Sequence, residues 1–177
     1  MLIDLLRVRR SIRRFTDQPI EPEKVSLLVE AALRAPSSKG INPWEFIVVT
    51  EQSMLEQLAV AKAHSAGFLA GAPLAIVVCA DSTKSDVWVE DAAIATTLIH
   101  LQAADLGLGS CWVQIRLRQR EDGTDAQLYL ADVLGLPPNM MVLAIVGIGY
   151  PVQSKKGHPP SSLGLNQVSY ERFGQRK

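Results

Sequence analysis

Val8-Arg9-Arg10-Ser11-Ile12-Arg13-Arg14-Phe15 is the segment around which the rest of the chain is arranged. With Arg7 it packs five arginines into one short segment, yet the whole chain balances 18 basic against 18 acidic residues. The cationic charge is therefore local. Just before it, Leu2, Ile3, Leu5 and Leu6 have the spacing of the buried stripe of a short helix, so the arginines leave that helix as it ends. Guanidiniums offer planar, charge-assisted, bidentate donors, and several of them beside a serine hydroxyl suit a phosphate. A solvated basic helix end, favoured by the helix dipole, is the simpler account of this segment taken alone.

A second segment changes the balance: Ala35-Pro36-Ser37-Ser38-Lys39-Gly40-Ile41-Asn42-Pro43-Trp44-Glu45-Phe46. Together with Arg9-Arg10-Ser11-Ile12-Arg13-Arg14-Phe15 it resembles the nitroreductase family of FMN-dependent oxidoreductases. That family opens on an R-R-S-x-R-x-F run and follows it with a P-S-S-x-N-x-Q-P-W-like loop entering a strand. The resemblance continues through Gly71 to Val78, Glu90 to Ala93, Gly107 to Gln114 and Gly147 to Pro151, so it spans nearly the whole chain.

The resemblance implies an α+β fold, a three-layer α/β arrangement with a central, mainly antiparallel sheet flanked by helices, assembled as an intertwined homodimer with FMN where the subunits meet. It implies hydride transfer from NADH or NADPH through the flavin to an electron-poor acceptor, a nitroaromatic or quinone, by a ping-pong route. Arg9 and Ser11 would hold the FMN phosphate, Arg10 would contribute backbone contacts, and Arg13 would face the flavin N1/O2 edge. Pro36, Ser37, Ser38 and Asn42 would reach the flavin from the other subunit, although Gly40 and Asn42 stand where the family carries Asn and Gln. The backbone N–H of Gln114 or Ile115 would approach N5. Longer relatives add a C-terminal Lys/Arg motif at the phosphate, for which this chain offers Lys155, Lys156 and Arg172, the first two favoured because they follow directly from a strand. Where many relatives place an amide and a lysine at the pyrimidine edge, this chain has His64, Ser65, Ala66 and Gly67. The family also contains flavin-binding members without turnover and members with flavin fragmentation or reductive dehalogenation chemistry.

The rest of the chain reads outward from these segments. Pro19, Glu21, Pro22 and Glu23 precede Val25, Leu27, Leu28, Ala31, Ala32 and Leu33, a helix start with Pro and acids in its first turn, and Pro36 stops it. The loop from Ser37 to Pro43 then feeds a strand at Trp44 to Val49, and Met54 to Ala61 is helical. Leu74 to Val78 and Met141 to Ile148 are continuous apolar runs, as strands buried on both faces require. Trp88 to Leu106 is apolar on nearly every face, which demands burial all round and predicts a partner subunit. Asp91, His100 and Gln102 on that helix then need polar partners, and Asp91 reads as structural. Gly107 and Gly109 end the helix, Cys111 to Ile115 is a strand, and Ala126 to Leu134 is a helix closed by Gly135. From about 150 to 177 the chain is an aperiodic tail, stable only if it wraps something.

Composition bounds the rest. A length of 177 residues at 47% apolar content suits one domain, 1–177. The absence of a signal-like segment or long apolar run predicts a soluble, cytoplasmic protein with no membrane contact. Neutral net charge argues against nucleic acid as a partner. Cys79 and Cys111 lie in apolar runs and read as buried thiols, and no metal motif, dinucleotide fingerprint, phosphate loop or nucleophile elbow is present. Polar groups suited to holding a ligand, with no nucleophile and base to pair, describe a cofactor enzyme whose chemistry belongs to the cofactor.

Overall fold

A computed structural model describes residues 1–176. In chain order the elements are α1 (Leu2–Val8), α2 (Pro22–Leu33), β1 (Trp44–Val49), α3 (Gln52–Ala59), β2 (Leu74–Asp81), α4 (Trp88–Asp105), β3 (Gly109–Gln114), α5 (Ala126–Leu134) and β4 (Met140–Gly149). Short 3-10 turns at Ser38–Gly40, Gly67–Gly71, Pro160–Ser162 and Leu165–Gln167 complete them.

The four strands form one sheet in the order β1-β2-β4-β3, each neighbouring pair antiparallel. The two continuous apolar runs are its central strands, and every residue of β2 is buried. Period-two alternation divides them between two cores. Ala75, Val77 and Cys79 face Leu55 and Leu58 of α3, Leu69, and Leu130 of α5. Leu74, Ile76, Val78 and Ala80 face Leu28 and Ala32 of α2 and Ala92, Ile99 and Ala103 of α4. Helices thus cover both faces, which is the expected three-layer arrangement.

Local chemistry sets the ends of the elements. Asp125 caps α5, its carboxylate accepting from the N–H groups of Gln127 and Leu128 at 2.7 and 3.2 Å. Gly135 closes the same helix at φ 65°, and Gly107, at φ 74°, reverses the chain after α4 while the Leu108 N–H reaches back to the Ala103 carbonyl. One expectation is corrected. The apolar stripe of α1 is not buried within the chain: Leu2, Ile3 and Leu6 are exposed and only Leu5 is half-covered. On α4, Glu90, Ile94, Thr97 and Asp105 face outward, so one chain does not by itself supply the all-round burial expected of that helix with a partner subunit. In both, the core offers one surface to pack against and the remaining apolar face of the helix has none in this chain.

Candidate functional site

The segment after α1 adds itself to the open edge of the sheet. Ser11 bridges Ser110 in parallel, the Ile12 N–H donates to the Ser110 carbonyl at 3.0 Å, and the Thr16 N–H donates to Tyr150 at 2.8 Å. This close approach depends on missing side chains: a Cβ on Gly109 would lie 2.8 Å from Ile12 Cβ, and one on Gly149 would lie 2.8 Å from Phe15 Cβ. The chain beyond β4 returns along the same segment. The Val152 N–H donates to the Arg14 carbonyl at 3.1 Å, and the Arg10 guanidinium donates to the Lys156 carbonyl at 2.6 Å.

The result is a concentration of cations at the start of β3. Arg9, Arg10, Ser110 and Lys155 line a cleft of about 170 Å³ over the turn that follows α4. Burial raises the pKa of the neighbouring Cys111 thiol, and Arg13, the Ser11 side chain, Lys155 and Lys62 pull it the other way. Lys62 has its own pKa lowered, first by burial and then by Arg118 and Arg13. Among the described residues none of Arg9, Arg13, Lys62, Arg118 and Lys155 belongs to an ion pair. Arg9 and Lys155, unneutralised at the cleft, are a donor set suited to a phosphate, and Arg13 and Lys62 act on the same Cys111 thiol from outside the cleft's lining.

Behind the cleft stands His100 of α4. Its Nδ1 is 2.7 Å from Ser110 Oγ, its ring stacks on Trp112 with centroids 6.3 Å apart, and burial together with the nearby Arg9 lowers its pKa to about 4. The Trp112 indole N–H donates to the Gln114 side chain at 2.9 Å, which donates in turn to the Arg116 carbonyl at 3.1 Å.

Of the two backbone groups expected near N5, Ile115 is committed elsewhere: its N–H donates to the Leu143 carbonyl at 3.1 Å, and its side chain is wholly buried. The ladder alternates, so the preceding N–H, that of Gln114, points off the open edge. Lys155 lines the cleft, whereas Lys156 supplies its carbonyl to Arg10. His64 is exposed on the segment that also carries Lys62. Sequence reasoning passed over Lys62, Ser110 and the pairing of His100 with Ser110. For Lys62 a signal existed, because it lies two residues before His64, beside the stretch where the resemblance leads one to expect a lysine.

The loop after α2 is elsewhere. The Asn42 N–H donates to Ser37 Oγ at 2.9 Å and the Ser37 hydroxyl donates to Asn42 Oδ1 at 2.6 Å, while Pro36 and Asn42 are exposed. Lys39, Gly40 and Asn42 all have positive φ, which shapes this turn. Asp91, only 3% exposed, ties it to α4 by accepting from the Ser38 N–H at 2.8 Å and the Ser85 hydroxyl at 3.2 Å. Its carboxylate is therefore a structural anchor. Trp44, which ends the loop, is level with Ala80 and Met141, whereas Ser110 pairs with Ile148. Those positions on β4 are about 23 Å apart at roughly 3.3 Å per residue. One chain does not bring Ser37, Ser38 and Asn42 to the arginine cleft.

Solved structures share this architecture. An FMN-dependent nitroreductase from Clostridium difficile superposes with a TM-score of 0.94 at 45% identity, over 97% of this chain and 99% of its own. A provisionally named nitroreductase from Desulfovibrio desulfuricans, solved in complex with FMN, superposes at 0.77 with 27% identity over 97% of each chain. A relative from Archaeoglobus fulgidus, provisionally named NADH dehydrogenase/NAD(P)H nitroreductase, is 37% identical across 86% of this chain and 87% of its own length. Residues 6–150 match the Nitroreductase family as a whole, and the chain belongs to that family.

Proposed function

We propose that two copies of this chain form a homodimer with FMN at their interface, passing hydride from NAD(P)H to an electron-poor acceptor, a nitroaromatic or quinone, in a ping-pong cycle. The coarser part follows from the family and from relatives that are FMN-dependent: the chain is an NAD(P)H-dependent FMN oxidoreductase. When bound, FMN supplies an N5 atom that accepts and releases hydride.

The observation that carries the dimer is the separation of the loop from the cleft. Ser37, Ser38 and Asn42 are exposed or half-exposed at one end of the sheet and the cations sit at the other, so a second chain is the way to set them against one ligand. Uncovered apolar surface supports the same reading. Leu2, Ile3 and Leu6 of α1, Ile94 of α4, and Leu163, Leu165 and Phe173 of the tail are exposed, Phe173 at 97%. A groove between α1, α2 and α4, lined by Leu2, Leu5, Leu98 and Leu101, continues that surface. Exposed apolar area of this extent marks an interface.

Within the site each residue has a stated task. Arg9 and Lys155 neutralise the phosphate, and Ser11 completes its shell. Arg10 holds the chain at Lys156 so that Lys155 stays over the cleft. Arg13, with Lys62 close by, stabilises negative charge at the N1/O2 edge, where fixed cations in a partly dry site act without reorganisation. The Gln114 N–H, directed off the β3 edge, is the donor available to the flavin ring. The same open edge receives donor and acceptor in turn.

A purified protein with a flavin absorption band, bleached by NAD(P)H and restored by a quinone, is the expected result. A band that NAD(P)H does not bleach overturns the turnover reading. Sedimentation of the FMN-loaded protein at micromolar concentration tests assembly, and a flavin-bound monomer overturns the shared site.

A further inference from the structure

We propose that the Ser110 hydroxyl is an additional donor to the anion in the arginine cleft and that His100 is the residue that positions it. The inference rests on the FMN reading and adds to it two residues that lie outside the arginine and tail segments.

Ser110 sits where β3 meets the arginine segment. Its carbonyl accepts the Ile12 N–H, it faces Ser11 across a parallel bridge, and it lines the same cavity as Arg9, Arg10 and Lys155. Gly109 permits this approach, because a Cβ there would run into Ile12. The serine is thus fixed through its backbone, and the remaining freedom is rotation of its hydroxyl. His100 removes that freedom. Its Nδ1 is 2.7 Å from Ser110 Oγ, and its ring is clamped on Trp112, whose indole is itself tied to Gln114.

The direction of the bond follows from the charges around it. A neutral imidazole has one N–H, and with the anion present the favourable arrangement places it on Nδ1, donating to Ser110 Oγ. The hydroxyl proton is then released toward the cleft, where a phosphate oxygen can accept it. Burial and the Arg9 guanidinium both keep the ring neutral, so the histidine adds direction without adding charge. An unaided serine could point its proton back at the ring nitrogen. The pairing with His100 converts a side chain that is only 2% exposed into an oriented donor.

The test is titration of the apoprotein with FMN and with riboflavin, which lacks the phosphate, for the unmodified chain and the variants Ser110→Ala, His100→Phe and His100→Asn. Phe keeps a ring against Trp112 but has no donor; Asn restores an N–H near the Nδ1 position. Ser110→Ala and His100→Phe are expected to weaken FMN about tenfold, the scale of one hydrogen bond to a charged group. Riboflavin binding should change less than about twofold, and His100→Asn should recover most of the loss. Ser110→Ala makes no demand on the core, so it carries the test if His100→Phe fails to fold. An unmodified protein that binds FMN while Ser110→Ala loses nothing, or loses FMN and riboflavin equally, overturns this inference alone. An unmodified protein that binds neither flavin overturns the FMN reading and this inference with it.

Discussion

Replacing Asp91 separates anchoring from chemistry. The carboxylate is buried and accepts two hydrogen bonds, from the Ser38 N–H at 2.8 Å and from the Ser85 hydroxyl at 3.2 Å. Hydrogen bonds to a charged group contribute about 1.5–3 kcal/mol each, and removing the acceptor leaves the half-buried Ser38 N–H and the buried Ser85 hydroxyl without it. Relief of the carboxylate's own desolvation offsets part of this, so Asp91→Ala is expected to cost about 3 kcal/mol. With a urea slope near 2 kcal/mol/M, the midpoint falls by roughly 1.5 M. Asp91→Asn should cost much less, because its amide oxygen still accepts from Ser38 and its NH₂ can donate to Ser85 Oγ. The assay is urea unfolding followed by circular dichroism at one protein concentration, paired with NAD(P)H oxidation by the FMN-loaded enzyme. A shift below about 0.5 M for Asp91→Ala would refute the anchoring energy. Loss of turnover in Asp91→Asn at unchanged stability would refute the structural role.

Four further outcomes are expected. Gly109→Ala forces a Cβ against Ile12, which cannot retreat because its N–H is bound to Ser110; about 1–3 kcal/mol of stability should be lost in urea unfolding. His100 has a folded pKa of about 4 against an ordinary 6.5, so the unfolded chain binds the extra proton between those values. Its contribution is therefore present above about pH 6.5 and is lost as pH falls toward 4, by at most about 3 kcal/mol and less where water reaches the half-buried ring; this slope should vanish in His100→Asn. Arg13→Ala should lower the midpoint potential of bound FMN in spectroelectrochemical titration, by about 30 mV if the lost coupling is about 1.4 kcal/mol. Lys155→Ala should weaken FMN more than riboflavin, whereas Lys156→Ala should spare both, since Arg10 holds the Lys156 carbonyl and not its ammonium.

The layers were legible because burial leaves a periodic mark. Leu74 to Val78 and Met141 to Ile148 carry unbroken apolar runs because helices cover both faces of the central strands. Pro22 and Gly135 sit where the backbone needs them. An apolar stripe says that a surface is covered, not by which chain, so α1 reads as buried although its stripe is largely bare in one copy. Register also escaped the sequence: which N–H of Gln114 and Ile115 leaves the sheet edge depends on Ile115 lying opposite Leu143, a pairing 28 residues apart that no local pattern encodes.

The candidate site was legible where it is local and hidden where it is assembled. Arg9, Arg10, Ser11 and Arg13 announce themselves because consecutive cations are unusual, and one extended segment can present them all. Lys155 could only be nominated, since its place depends on Arg10 reaching Lys156 across 146 residues. Ser110 left no mark, for a serine after a helix reads as a turn, and His100 was marked only as a polar residue on an apolar helix in need of a partner. Their significance arises only when Ile12 is laid against Gly109, bringing the arginine segment, the end of α4 and the start of β3 together. A phosphate demands donors from several directions, and a short segment can approach from only one. A cleft built from three distant parts of the chain meets that geometry, and its outlying donors are for that reason the ones a linear reading misses.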